Sequence, residues 1–125
     1  MQSNQTWAIT WYGDHISLNA WYSAKHWSIR ATQRTKWHKW YGEIVKEQQP
    51  SLLLTKINQY EIYLTYRSRL DPSNTITMVK LFEDYLQEVG VLEGDDRKHC
   101  KGVHLIPDDD WEDDKSYCIK IVQLV

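Results

Sequence analysis

No apolar run in this chain is long. Stretches such as "SLLL" and "IKIVQLV" are the most apolar it offers, well short of the roughly 20 residues a membrane-spanning helix needs. No membrane partner is therefore expected. The opening "MQSNQTWAITW" lacks a basic start followed by an apolar stretch, so no secretory signal is read there. Cysteine is scarce: Cys100 and Cys118 cannot make a disulfide framework, and a reducing, cytoplasmic setting is expected. A Gly-rich phosphate loop, a G-x-S-x-G elbow and a heptad seam are all missing, which sets aside a nucleotide cofactor, serine hydrolysis and a coiled coil. Nor does a repeat, a Gly/Ser linker or a low-complexity segment divide the 125 residues. One domain over residues 1–125 is the expectation.

What is present is unevenly placed. Residues 1–70 hold nine Lys/Arg against four Asp/Glu, and residues 71–125 hold six against thirteen. A basic half rich in aromatics can meet a polyanion, and an acidic half can hold cations; a soluble domain also shows such fluctuation with no partner at all. Six of the seven tryptophans lie between Trp7 and Trp40. Packing is their first reading, and contact with a base or sugar the second.

The patterning predicts an α/β chain in the order β, loop, α, β, α, β, β. "TWAITWYG" alternates and suggests a strand ending at Gly13. "DHISLNAWYSAKHW" has no clean period and reads as an ordered loop. A helix follows from about Ile29 to Gln48, closed by Pro50, with Trp37, Trp40, Tyr41 and Ile44 toward the core. Its Arg30, Arg34, Lys36, Lys39 and Lys46 make a basic surface. In "INQYEIYLTYRSRL", Tyr60, Ile62, Leu64 and Tyr66 point one way and Tyr63, Thr65, Arg67 and Arg69 the other. The same parity carries Asp71 onto the arginine side. Ser73 or Asn74 is the expected N-cap of a second helix running to about Val89 and stopped by Gly90. Ile76, Val79, Phe82, Leu86 and Val89 form its expected buried stripe. "KGVHLI" and "SYCIKIVQL" read as closing strands joined by the acidic "PDDDWEDDK". That gives a mixed sheet of about four strands with two main helices.

Asp71 stands just before the second helix, Lys80 and Asp84 share one of its faces, and Asp95-Asp96 follow it. Carboxylates at helix ends serve as caps and solubilising groups, and that reading needs no site. The alternative is a divalent-metal centre, where Mg²⁺ takes a few carboxylate oxygens and a lysine steadies charge on phosphorus. A helix of about 15 residues is roughly 22 Å long. Its two ends reach one metal only if Asp95-Asp96 fold back along it, or if a partner subunit supplies them.

The run D-x-x-N at Asp71–Asn74, then Lys80, Asp84, Gly90 and the Asp95-Asp96 pair resembles the core motif of the RusA-type Holliday-junction resolvases. "ISLNAWYSAKHWSIRATQRTKW" is similar to that family's opening strand, Ser-Leu-Asn loop and basic helix. The resemblance implies a RusA-like α/β fold, a homodimer, and Mg²⁺-dependent (or Mn²⁺-dependent) cleavage of branched DNA in recombination or repair, typically in phage or prophage. By position it implies Asp71 and Asp96 as metal ligands with Asp95 assisting, Lys80 as the transition-state cation, and Asn74 as the residue that orients the turn. Asp84 supports the helical part of the motif. Arg30, Arg34, Lys36, Lys39, Arg67 and Arg69 would hold phosphates. One position departs: Ser73 stands where the motif has its second aspartate, and Pro72 alters the backbone beside it. The site is one negative charge short, so the chain either works with fewer carboxylates or binds junctions without cutting them.

Other clusters carry less. Cys100, His104, His99 and Cys118 could be read as a zinc set, but they form no C-x-x-C knuckle, and buried thiols with surface imidazoles are the simpler account. His15, His26 and His38 lie among basic and aromatic residues and could touch phosphate, though structural roles are commoner. "DDDWEDD" would repel a DNA backbone and reads as a solvated hairpin tip.

Overall fold

Strict alternation in "YEIYLTYR" makes β2 (Tyr60–Arg67) the centre of the molecule, with Tyr60, Ile62, Leu64 and Tyr66 all buried on one face. The structure, a computed structural model, describes residues 5–13, 27–108 and 115–125, with the backbone alone for 27–30. The other elements are β1 (Thr6–Tyr12), α1 (Trp27–Gln48), α2 (Ile76–Glu88), β3 (Cys100–Pro107) and β4 (Ser116–Gln123), with 3₁₀ turns at Pro50–Leu54 and Pro72–Thr75. The expected class holds: a mixed four-stranded sheet with two main helices. The strand order is β1-β4-β2-β3. β4 runs antiparallel to both neighbours, and β2 runs parallel to β3. A parallel pair needs a crossover, and α2 supplies it. No helix among the described residues is long and apolar enough to cross a membrane.

The inner faces of β1, β4 and β2 supply Trp7, Ile9, Trp11, Tyr117, Ile119, Ile121, Ile62 and Leu64 to one core. Both helices pack on that face. Each fully buried aliphatic side chain contributes about 1.5–3 kcal/mol. Trp11 meets Trp40 edge to face at 5.1 Å, and Trp37 meets Trp40 at 4.8 Å. Packing is thus what the described tryptophans of this region do. The hydroxyl of Tyr41 donates to the Met78 carbonyl at 2.9 Å and ties α1 to α2. The outer edge of β1 is closed by side chains: Gln48 bonds both the N–H and the carbonyl of Thr10, and Gln49 donates to the Ala8 carbonyl. An edge satisfied in this way cannot template another strand at those positions.

Three expectations need correction. The second helix is not capped by Ser73 or Asn74; a 3₁₀ turn precedes it, Thr75 is its N-cap, and no side chain caps it. Pro72 fixes the backbone into that turn, and Thr75 turns its hydroxyl back to the Pro72 carbonyl at 2.6 Å. Val89 is 45% exposed, not buried. The helix ends at Glu88, and Gly90 takes φ +84° to reverse the chain, so Val89 has already left the buried face. Met78, Leu81 and Tyr85 broaden that face instead. Parity does not carry Asp71 to the arginine face, because the ladder stops at Arg67. The segment 14–26, with His15 and His26, and the tip 109–114 lie outside the described residues.

Candidate functional site

The motif occupies the β2–α2–β3 crossover, and its parts fall into two groups. At the C-terminal end of β2, the Tyr66 hydroxyl donates to the Leu70 carbonyl at 2.7 Å and pulls the chain over the sheet's end. Asp71 follows, its carbonyl accepting from the Asn74 N–H at 3.0 Å. Asp71 and Ser73 are exposed and Asn74 half-buried. Burial, with the Asp71 charge second, pushes the Tyr66 phenol above its ordinary value.

The second group lies at the opposite end of β2. After Gly90, the Val91 and Leu92 N–H groups return to the Leu86 carbonyl at 2.8 and 3.2 Å, and Leu92 bridges Ile57. This brings Asp95 and Asp96 round before β3. Asp96 caps its own turn: Oδ1 accepts the Lys98 N–H at 3.0 Å and lies 2.8 Å from His99 Nδ1, and its carbonyl accepts the His99 and Cys100 N–H groups. The hydrogen bond with His99 leads in holding the Asp96 carboxyl below its usual range. Gly94 is needed here, because a Cβ at that position would stand 2.9 Å from His99 Nδ1.

Glu83 is the residue the motif did not single out. It is 4% exposed on the inner face of α2 and accepts a hydrogen bond from the Tyr60 hydroxyl. The Cys100 thiol, which donates to the Gly102 carbonyl at 3.7 Å, also acts on the Glu83 carboxyl. Burial raises the Glu83 pKa above the carboxylate range, and nearby Asp95 adds to the rise; the Tyr60 hydrogen bond and the Lys80 charge oppose it. Lys80 and Asp95, both exposed, each act by charge on the Glu83 carboxyl, with opposite sign. A sequence signal existed: residue 83 is four beyond Val79 and three before Leu86, within the buried face.

The two groups do not meet within one chain. β2 and β3 are parallel with Tyr60 opposite Cys100 and Tyr66 opposite Pro107. Asp71 lies past one end of this pair and Asp95-Asp96 before the other, about 20 Å apart along strands of this length. Asp96 is also committed to its own turn. The residues assigned to Mg²⁺ by resemblance therefore do not fit a metal within a single chain, and among the described residues no group of three His, Cys, Asp or Glu could hold one. Nor is a zinc set assembled: Cys100 lies opposite Tyr60 at one end of β2, Cys118 opposite Thr65 near the other, and both are free.

The basic residues also divide. Arg34, Lys36 and Lys39 are exposed on α1, in the helical layer. A cleft of about 640 Å³ between α1 and the end of α2 is lined by Arg34, His38, Lys39, Tyr85, Glu88 and Val89. Arg34 faces Asp84 across 3.9 Å. Arg67 is on the far face of the sheet, where its Nε donates to Asp108 at 2.8 Å. Arg69 is exposed beyond that strand's end, and the Arg30 side chain lies outside the described residues. No family model matches the chain, and no curated protein matches it.

Proposed function

We propose that this protein binds branched DNA and cuts it, as an endonuclease of the Holliday-junction-resolvase type. One observation carries the reading: Asp71, Asn74, Lys80, Asp84, Gly90 and Asp95-Asp96 fall in order on one β2–α2–β3 crossover, with Lys80 exposed. Lys80 is the cation that would face a scissile phosphate. The exposed bases of α1 would hold flanking backbone by charge. Asp71 stands apart from the Asp95-Asp96 turn, so a cutting site on this reading draws Asp71 from a second copy of the chain.

A second reading is a protein of the same fold that occupies junctions without cutting. Ser73 in place of an aspartate favours it, as does the separation of Asp71 from the aspartate pair. The experiment is cleavage of a synthetic four-way junction, with and without Mg²⁺, by the native chain, Asp71→Asn and Ser73→Asp. Cleavage by the native chain that Asp71→Asn abolishes supports the enzyme. Cutting by Ser73→Asp alone supports the binding protein. Three proteins that neither bind nor cut would end both readings.

A further inference from the structure

The sheet has two outer edges, β1 and β3, and they are treated differently. On β1 the Gln48 and Gln49 side chains take up main-chain groups of Thr10 and Ala8. β3 has no such cover. The Asp108 N–H donates to the Tyr66 carbonyl at 2.9 Å, continuing the β2–β3 ladder past the strand. Alternate residues of a strand bond to the same neighbour, so His104 and Ile106 share the parity of Asp108 and bond β2. Val103 and Leu105 therefore direct their N–H and carbonyl groups outward. Among the described residues no hydrogen bond from outside the ladder reaches the main chain of either. The Val103 and Ile106 side chains are exposed as well. An apolar edge with unpaired amides is a template for another strand.

We propose that β3 pairs antiparallel with β3 of a second copy of this chain, Val103 facing the partner's Leu105, and that this sets each Asp95-Asp96 turn at the same end of the joined sheet as the partner's Asp71. Two observations choose the occupant. The first is charge. Exposed Lys101 stands at the start of β3, and Asp108 follows its end. Antiparallel pairing about a two-fold axis sets each Lys101 beside the partner's Asp108; parallel pairing would set like against like. The second is the separation of Asp71 from Asp95-Asp96, which lie past opposite ends of the parallel β2–β3 pair. A reversed neighbour has its ends reversed. The turn of one chain and the partner's Asp71 then stand two strand spacings apart, about 10 Å across the sheet. Within one chain the distance is twice that. The Pro72–Thr75 turn lies beside β3, so the chain after Asp71 bends toward the shared edge. That such an end cuts DNA rests on the reading above; the pairing rests on the edge and its charges.

Sedimentation equilibrium and a zero-length cross-link test it on the free protein. The native chain should pass from monomer to dimer as its concentration rises. Val103→Pro removes one outward N–H from each chain, breaks no bond to β2, and should weaken association at least about tenfold. Lys101→Glu leaves the backbone alone; it should weaken association at low salt, with the gap closing at high salt. A carbodiimide should join Lys101 to Asp108 in the dimer band, located by mass spectrometry. These two residues stand at opposite ends of one strand, so an amide between them can only link two chains. A native chain that stays monomeric at every concentration would overturn the proposal, as would a dimer indifferent to both substitutions or one without the Lys101–Asp108 link. Should Val103→Pro fail to fold, Lys101→Glu and the cross-link decide. Neither readout uses DNA, so the pairing and the nuclease reading fail separately.

Discussion

His38 Nδ1 lies 2.6 Å from Glu88 Oε2, joining the middle of α1 to the last residue of α2. The imidazole is 9% exposed and packs edge to face against Tyr85, whereas the Glu88 side chain is 66% exposed. Glu88→Gln should therefore change stability by under about 1 kcal/mol, as an exposed partner does. His38→Ala, which empties a packed position, should cost about 2 kcal/mol. Urea midpoints of the two variants check the order; equal losses would refute this division between packing and charge.

Glu83 and Asp96 should give stability slopes of opposite sign. Glu83 binds its proton more tightly folded than unfolded, so its contribution is greatest below the ordinary carboxylate range and declines as pH rises through its raised value. Asp96 binds its proton less tightly folded, so its contribution is present above the ordinary range and is lost as pH falls through its lowered value. Glu83→Gln should remove the decline and be at least as stable as the native chain near neutrality. Asp96→Asn should remove the acid-side loss. Denaturant midpoints measured across the acidic range would show both.

Gly94→Ala should unseat His99. The new Cβ would meet Nδ1 at 2.9 Å, so the imidazole must leave Asp96 or the turn must move. A loss of about 1 kcal/mol is expected. The confirming sign is changed His99 imidazole chemical shifts, with those of His104 unaltered.

DNA should meet the helical layer and not the open sheet face. Lys36→Ala and Lys39→Ala should each weaken binding uniformly across sequences and lower the salt slope by about 1. Lys120, whose ammonium lies 4.8 Å from the Tyr63 ring on the opposite face, is the control. A slope changed by Lys120→Ala but not by the α1 variants would place the DNA on the other side.

Much of the fold was legible because its signals are local. β2 alternates without exception, so its buried and outward residues could be read directly, and the strand and helix order followed. The α2 boundary was misread because Pro72 and Thr75 form a backbone turn that replaces a side-chain cap. The candidate site was less legible, since it depends on strand direction. Only the parallel pairing of β2 with β3 shows that Asp71 and Asp95-Asp96 belong to opposite ends. Glu83 was hidden by its charge: a carboxylate in a helix reads as solvent-facing until Tyr60, 23 residues earlier, is seen to cover it.

The place of β4 bears on how such a chain is made. Its residues slot between β1 and β2, with Thr6 opposite Val122 and Tyr60 opposite Gln123. During synthesis, Trp7, Ile9 and Trp11 emerge early and have no strand to pair with until Ser116–Gln123 is translated. Such distant pairing makes for slow folding. A nascent chain stalled before Ser116 would leave β1 and β2 each with a bare inner edge, available to any neighbouring polypeptide.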